Sequence, residues 1–302
     1  MRSSTSKPKP PGSQAKPPTP APPTLSGAEP TAKAAWDNST QALARNTLVA
    51  GSQQLGLALS DAQIDALMAY LGLLHKWSKV YNLTAVRDPL EMVTLHLLDS
   101  LAVIPALLRH LATPHNTTER AALAGQSTST STSTSTSTSP SPGPASASLA
   151  AASAGKPAQA QPIRLLDVGS GAGLPGVVIA IACPHIQVTC IDAVSKKAAF
   201  VQQVAASLGL AHLRGLHQRI EQLDAPHDLV CSRAFASLAD FVQGSAKALA
   251  AGGVWLALKG KTPTEELSAL GGEVDVFHVE QLKVPGLDAQ RCLVWMRPSA
   301  AP

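Results

Sequence analysis

The amino-acid sequence predicts an α/β protein in which a mostly parallel sheet ends in an antiparallel hairpin and follows a small helical unit. From Ile163 onward, short apolar runs typical of buried strands alternate with helical patterns, as in a parallel sheet with helices on both faces. The last two apolar runs are joined only by the segment PGLDAQ. Because a parallel crossover needs about a dozen residues or more, this closing pair is predicted to be antiparallel.

The helical unit is predicted over residues 36–112, where two helix start signals occur. Ser60 and Gln63 form a capping box. The apolar side chains that follow repeat at helical spacing; they are Ile64, Leu67, Met68, Leu71 and Leu74. The second signal is DPLE at residues 88–91, which places an Asp N-cap before a Pro at the first helical position.

The sheet is predicted within residues 162–298. Its strands are expected in IRLLDVG, QVTCID, LRGLH, HDLVCSR, GGVWLALKG, EVDVFHVEQLKV and RCLVWMRP. Helices are expected near residues 175–182, over SKKAAFVQQVAASLG and over SLADFVQGSAKALA. A parallel sheet that ends in an antiparallel hairpin is the architecture of the Rossmann-like class I methyltransferase fold.

Two segments of low complexity flank the helical unit. Residues 1–35 are dominated by Pro, Ser, Lys, Ala and Thr, and residues 113–161 contain a strict Ser/Thr alternation followed by Pro, Ala, Gly and Ser. Neither has enough apolar side chains to offset the entropy of ordering. We expect a disordered tail and a disordered insertion.

The net charge of +4 comes from the tail. Residues 1–35 hold five basic residues and one acidic residue, which leaves 19 basic and 19 acidic residues from Trp36 to Pro302. The overall charge is therefore no indication of nucleic-acid binding, and any RNA contact must come from a local basic patch.

The four cysteines are scattered, and no Cys or His spacing typical of a metal site occurs. The N-terminus lacks the apolar run of a signal peptide, and no stretch of about 18 apolar residues is present. We expect reduced thiols, no metal, no membrane partner and a cytoplasmic location.

A glycine-rich loop follows the first predicted strand, and its pattern D-x-G-x-G-x-G comprises Asp167, Gly169, Gly171 and Gly173. With Gly176 the last two glycines also match the dinucleotide fingerprint G-x-G-x-x-G, so a nicotinamide cofactor has to be considered. Asp167, however, would repel a pyrophosphate. This carboxylate either organises the loop or meets the ammonium group of a methionine moiety.

Asp192 ends the second predicted strand about twenty residues after the glycines. A carboxylate there can accept hydrogen bonds from both ribose hydroxyls of an adenosine. The alternative role is that of a cap for the helix that begins near Ser195. The two roles are compatible.

The segment HKWSKVYNLTAVRD, at residues 75–88, interleaves basic and aromatic side chains. Such a mixture can neutralise phosphates and stack on bases. The alternative, which we favour from the sequence alone, is that Trp77 and Tyr81 close the helix packing.

Four strings occur along the chain in the order HKWSKVYNLTAVRDPLEMVTLHLLDS, LLDVGSGAGLPG, SRAFASL and ALKG. In this order and spacing they resemble the ribosomal RNA small-subunit methyltransferase G family, also called glucose-inhibited division protein B. The resemblance covers about Leu55 to Arg297 without the Ser/Thr insertion. It implies a class I fold that uses S-adenosylmethionine to methylate N7 of a guanine in 16S ribosomal RNA. The tail and the insertion depart from the family pattern, and the insertion is expected to loop out.

The resemblance also implies cofactor contacts at Gly169, Leu174, Ile220, Glu221 and Arg233, with Ile220 flanking the adenine. From the residues alone, Glu221 can equally be a solvated residue of a short helical turn. Cys231, which could be taken for a methyltransferase nucleophile, lacks a preceding Pro and is interpreted as core.

No residue set for acid/base catalysis or nucleophilic attack emerges from the sequence. Guanine N7 already exposes a lone pair, so transfer requires placement of N7 against the methyl group and no general base. The candidates for positioning the substrate are Asn82, His96, Arg219, Arg233, Lys259 and Lys261. For His96 the alternative is a pair with Asp99 on one helix face.

The expected partner is 16S ribosomal RNA, within a small-subunit particle, and the oligomeric state is left open. Two other classes of function remain at this point. A nicotinamide-dependent oxidoreductase would keep the glycine loop and Asp192, and a non-catalytic RNA-binding protein would need only the basic and aromatic residues.

Overall fold

The structure is a computed structural model that describes residues 36–113, 162–233, 235 and 237–299. The predicted Pro-rich tail and residues 114–161 of the predicted insertion lie outside the described residues. The helices are α1 (Asn38–Gln54), α2 (Asp61–Tyr81), α3 (Pro89–Met92), α4 (Asp99–Leu101), α5 (Ile104–Leu111), α6 (Gly176–Ala182), α7 (Ser195–Ser207), α8 (Leu238–Ser245) and α9 (Thr264–Ser268). The strands are β1 (Ile163–Val168), β2 (Ile186–Asp192), β3 (Leu213–His217), β4 (His227–Ser232), β5 (Leu249–Lys259), β6 (Val274–Leu282) and β7 (Arg291–Pro298).

The seven strands form one sheet in the order β3-β2-β1-β4-β5-β7-β6. The first five strands pair in parallel, whereas β7 pairs antiparallel with both β5 and β6. The predicted fold class, with its antiparallel closing hairpin, is thereby confirmed. The sequence prediction omitted α9 and began β5 three residues late.

Both helix start signals form as predicted. Ser60 caps α2 with a reciprocal capping box to Gln63, and the Asp88 carboxylate accepts hydrogen bonds from Leu90 N and Glu91 N at the start of α3. Of the predicted apolar face of α2, Met68 is only partly buried, and Tyr70 takes a fully buried position that the prediction left out.

Between α3 and α4 the chain forms a π-helical turn, Val93–Leu98. A π-helical turn has wider hydrogen bonding, from residue i to i+5, and is frequent at functional sites. Here it carries Leu95 and His96, which both line the site described below.

The core has two parts, one on each face of the sheet. The larger part joins the helical unit to α6, α7 and one sheet face, and the smaller part packs α8 on the other face. The helical unit therefore shares its core with the sheet, and side chains from α2 and the π-helical turn reach the carboxyl ends of the strands.

Within the described residues, the helical stretch Pro89–Leu111 is long and apolar enough to cross a membrane by length and mean hydropathy alone. Of its most apolar window, 72% is buried inside the structure. That burial is what a core helix of this fold shows.

Candidate active site

The glycine loop links β1 to α6 and lies at the carboxyl edge of the parallel strands. Gly169, Gly171 and Gly173 all have positive φ angles, of 67°, 60° and 86°, a region that side chains disfavour. The backbone N–H groups of Gly169 and Ser170 donate to Ile191 O of β2. The loop is thus held against the second strand by its own backbone.

Asp167 lies beneath this loop and is fully buried. Its Oδ2 accepts a hydrogen bond of 2.8 Å from Gly176 N, and a Cβ atom on Gly176 would lie 2.8 Å from that same oxygen. Burial raises the Asp167 pKa to about 7. Of the two predicted roles, the structure shows that this carboxylate organises the loop.

Asp192 ends β2 and is 6% exposed. Its Oδ2 accepts from Gly171 N at 3.0 Å and its Oδ1 from Val194 N at 2.8 Å, while Lys197 Nζ lies 3.7 Å from Oδ2. The carboxylate therefore ties the glycine loop to the start of α7. The predicted helix-cap role is wrong, because the N-cap residue of α7 is Val194 and no side chain caps the helix; Asp192 instead accepts from the N–H of the N-cap residue itself.

The remaining predicted cofactor residues lie at the same edge of the sheet. Leu174 is buried within the loop, and Ile220 is buried in a short 3₁₀ turn that follows β3. Glu221, in the same turn, is exposed, as the solvated alternative predicts. Cys231 is buried inside β4, which confirms the core interpretation.

A second part of the site is a cavity of about 400 Å³ between the π-helical turn and the ends of β5 and β7. It is lined by Leu95, His96, Asp99, Arg233, Leu258, Lys259, Gly260, Leu282, Arg291 and Cys292. The buried Asp99 carboxylate accepts from Arg233 Nη1 at 3.1 Å and from Arg291 Nε at 2.6 Å. Arg233 Nη1 also donates to Leu95 O at 3.2 Å.

His96 does not pair with Asp99, so that alternative is wrong. Its Nε2 lies 2.8 Å from Thr84 Oγ1 instead. Burial, together with the charge of Arg233, lowers the His96 pKa to about 4, which keeps the ring neutral at pH 7. Both side chains line the cavity, but the two oxygens of Asp99 accept from Arg233 and Arg291, which leaves Thr84 as the partner of His96.

The other positioning candidates are dispersed. Lys259 Nζ is held by the Glu266 carboxylate at 2.8 Å, and the exposed Arg219 begins the 3₁₀ turn beside Ile220. Asn82 is the left-handed C-cap of α2 and accepts from Arg87. Lys261 is exposed beyond β5. Of the predicted candidates, the cavity brings together His96, Arg233 and Lys259.

Sequence comparison now identifies the family. The family model for rRNA small subunit methyltransferase G matches residues 63–112 and 147–294. The chain is also similar to proteins named ribosomal RNA small subunit methyltransferase G from Polaromonas sp. (52% identity; 84% of this chain, 93% of that protein) and Albidiferax ferrireducens (53%; 83% and 95%). The chain belongs to this family.

Membership of the rRNA small subunit methyltransferase G family confirms the predicted enzyme class, a methyltransferase that uses S-adenosylmethionine. The residues present fit that cofactor. Asp167 Oδ1 is buried and accepts from no N–H or O–H group of the described residues, and the Cys231 thiol beside this carboxylate is only a weak donor. A carboxylate oxygen without a strong donor suits a cationic group. The two alternative functions left open by the sequence, a nicotinamide-dependent oxidoreductase and a non-catalytic RNA-binding protein, are not supported by this family membership.

Two site residues of this methyltransferase G chain, Tyr70 and Arg291, were not predicted from the sequence. Tyr70 of α2 donates a hydrogen bond of 2.7 Å to Ala172 O in the glycine loop. Arg291 and Asp99 build the cavity through a contact across 192 positions of sequence. The only local indication for Tyr70 was its position among the apolar residues of α2. A Tyr in such a position is buried, and its hydroxyl then needs a hydrogen-bond partner.

Proposed function

We propose that this methyltransferase methylates N7 of one guanine in 16S ribosomal RNA, within a small-subunit particle. The names of its relatives, which all specify small-subunit ribosomal RNA, support this substrate. A cytoplasmic location goes with the proposal, since that is where bacterial ribosomes are. The observation that carries the proposal is an arginine-lined cavity whose Arg233 also acts on Asp167, the carboxylate beneath the glycine loop.

This adjacency follows from the sheet. Asp167 of β1 is the register partner of Cys231 of β4, and Arg233 lies two residues further along. The Arg233 charge acts on the Asp167 carboxylate. A guanine in the cavity would therefore lie next to the end of the loop where the cofactor's sulfonium is expected.

The proposed cofactor contacts are those predicted from the sequence. The sulfonium of the bound cofactor supplies an electrophilic methyl group. In the proposal Asp167 Oδ1 meets the ammonium group, Asp192 meets the ribose hydroxyls, and Ile220 flanks the adenine. Leu174, Glu221 and Arg233 are the further predicted contacts with the cofactor. Glycines 169, 171 and 173 leave the loop backbone open to close approach.

The proposed substrate contacts come from the two arginines. Among the described residues Arg233 donates only through Nη1, and Arg291 only through Nε and Nη1. Nη2 of both guanidinium groups is left for guanine O6 or a phosphate oxygen. Because Asp99 holds both arginines, they are oriented before substrate arrives, which lowers the entropic cost of placing N7.

No proton has to move in this reaction, and the site agrees with that chemistry. The pKa of about 4 at His96 leaves a neutral ring at pH 7, which can hydrogen-bond a base but is a poor proton donor. Recognition should require folded RNA or a particle, because 19 basic and 19 acidic residues from position 36 onward provide no general attraction to phosphates.

The test is mass spectrometry of nuclease-digested 16S RNA from a strain that lacks the gene. The RNA should lose one 7-methylguanosine, and the wild-type gene should restore it. Arg233→Ala should fail to restore it, whereas Arg297→Ala, which removes an exposed arginine paired with Asp275, should succeed. An unchanged 7-methylguanosine level in the deletion strain would overturn the substrate assignment.

A further inference from the structure

The second half of α2 and the whole of α7 carry charge of one sign. From Ala66 to Tyr81 and from Ser195 to Ser207 there is no Asp or Glu, while Lys76, Lys79, Lys196 and Lys197 are all present. The chain from residue 36 onward is neutral overall. Positive charge is therefore concentrated on this helix pair and balanced elsewhere.

The two helices that carry these lysines pack against each other. Trp77 of α2 packs on Phe200 of α7 with ring centroids 5.4 Å apart, and Lys196 Nζ lies 5.5 Å from the centroid of the Tyr81 ring. A groove of about 670 Å³ lies between the second half of α2, with Lys76 and Lys79, and the C-terminal end of α7. The lysines thus lie in the last third of α2 and in the first turn of α7.

Apolar exposure is concentrated at the same place. Of the five exposed large apolar side chains among the described residues, three are Val80 (69%), Tyr81 (43%) and Val194 (46%). The helix-packing interpretation therefore holds for Trp77, which is partly buried against the core, and in part for Tyr81, whose ring lies 5.2 Å from that of Trp77 while 43% of the residue stays exposed. An exposed aromatic ring bordered by lysines is the usual composition of a surface on which nucleic-acid bases stack.

The positive charge of these lysines is available to a binding partner. Lys76, Lys79 and Lys196 form no ion pair with a carboxylate in the described part of the chain, whereas Lys197 pairs with Asp192. That ion pair also places the start of α7 close to the glycine loop, because Asp192 accepts a hydrogen bond from the loop at Gly171 N. The lysines of α7 therefore lie next to the candidate cofactor site.

We propose that the lysine face, defined as Lys76, Lys79, Tyr81 and Lys196, binds the ribosomal RNA that flanks the target guanine. The three lysines neutralise backbone phosphates, and Tyr81 stacks on an unpaired base. This inference rests on the proposed function. It supplies a local basic patch on the part of the chain from residue 36 onward, which is neutral overall and needs such a patch to hold a polyanion while the arginine cavity takes a single nucleotide.

The first test replaces all three lysines by Glu. Its matched control replaces Arg214, Lys247 and Lys283, three exposed basic residues outside the face, so that both variants change the net charge equally. Binding to small ribosomal subunits from the deletion strain is measured between about 0.05 and 0.3 M KCl. Each phosphate contact contributes about 0.7 to 0.9 to the magnitude of the slope of log K against log salt concentration. The magnitude of this slope should therefore fall by about 2 to 3 in the variant with three Glu residues in the lysine face, and should hardly change in the control variant.

A second pair of variants isolates the aromatic ring. Tyr81→Ala should weaken subunit binding by about tenfold through lost stacking, and Tyr81→Phe should stay within about twofold. Lys→Gln at the same three lysines checks that the Glu variant does not act through misfolding. S-adenosylmethionine affinity, measured by calorimetry, should stay unchanged in every variant.

The outcomes separate this inference from the proposed function. If the wild-type enzyme methylates 16S RNA and the face variant keeps the salt slope of the control, the lysine face is not an RNA-binding surface. If the wild-type enzyme leaves 16S RNA unmethylated, the proposed function fails first.

Discussion

The two ends of the site are built in different ways. The cofactor end, from Asp167 to Asp192, is one continuous segment held by backbone hydrogen bonds to Ile191 O and by two carboxylates. The cavity end joins Asp99 to Arg233 and Arg291 across 134 and 192 positions of sequence. The first end is fixed by local sequence, and the second exists only once the helical unit has docked on the sheet. Substitutions at the cofactor end should therefore change mainly affinity, whereas those in the cavity should change stability and transfer together.

The largest effect is expected at Asp99. Asp99→Ala leaves two partly buried arginines without their carboxylate, which should lower the free energy of unfolding by about 3 kcal/mol. Methyl transfer should fall at least about 100-fold, because positioning within the cavity is lost. Urea denaturation and single-turnover assays measure the two effects.

The matched control is Asp275→Ala, which breaks an exposed pair with Arg297 and should cost less than about 1 kcal/mol. Equal losses of stability in the two variants would show that the cavity network is no more important than a surface ion pair.

The next effect belongs to the cofactor end. Asp192→Ala should weaken S-adenosylmethionine binding by about 1.5 to 3 kcal/mol, through lost hydrogen bonds to the ribose hydroxyls. Asp224→Ala, at an exposed carboxylate nearby, serves as the control. Calorimetry that finds the same affinity in wild type and Asp192→Ala would remove the ribose assignment.

A smaller effect should appear in the pH dependence of cofactor binding. The Asp167 pKa, raised to about 7 by burial, means that the free folded protein binds a proton here that the unfolded chain loses near pH 4. Stability from this group is therefore complete below about pH 4 and declines as the pH rises towards 7. A cationic cofactor at Oδ1 favours the carboxylate, so binding should release this proton.

Affinity for S-adenosylmethionine should accordingly rise about tenfold from pH 6 to pH 8, the ratio of ionised fractions for a pKa of about 7. The charged groups around Asp167 are Arg233 and Asp192, and neither is altered in Asp167→Asn. That variant should show a flat profile and weaker binding at pH 8. A profile as steep as that of wild type would assign the pH dependence to another group.

The smallest effect is expected from two segments that belong neither to the cofactor end nor to the cavity end of the site. Removing residues 1–30 together with 127–146 should leave the melting temperature nearly unchanged, because their composition provides little apolar surface to bury. A drop of several degrees in differential scanning calorimetry would show that one of them contributes to the core.

The same difference between the two ends explains what sequence reasoning could reach. Asp167, the glycines and Asp192 were predicted because strand, turn and carboxylate follow one another along the chain. Arg291 and Tyr70 were missed because their partners, Asp99 and Ala172, are distant in sequence and no spacing rule links them. The expected pairing of His96 with Asp99 failed because both oxygens of Asp99 accept from arginines that are distant in sequence.

The point at which β1 begins has a practical consequence. Ile163 opens β1 at the amino edge of the parallel strands, whereas the glycine loop and Asp192 lie at the carboxyl edge. The described chain thus resumes at residue 162 on the side of the sheet opposite the reacting groups. A fluorophore attached at residue 162 would therefore start at the edge of the sheet farthest from the candidate cofactor site.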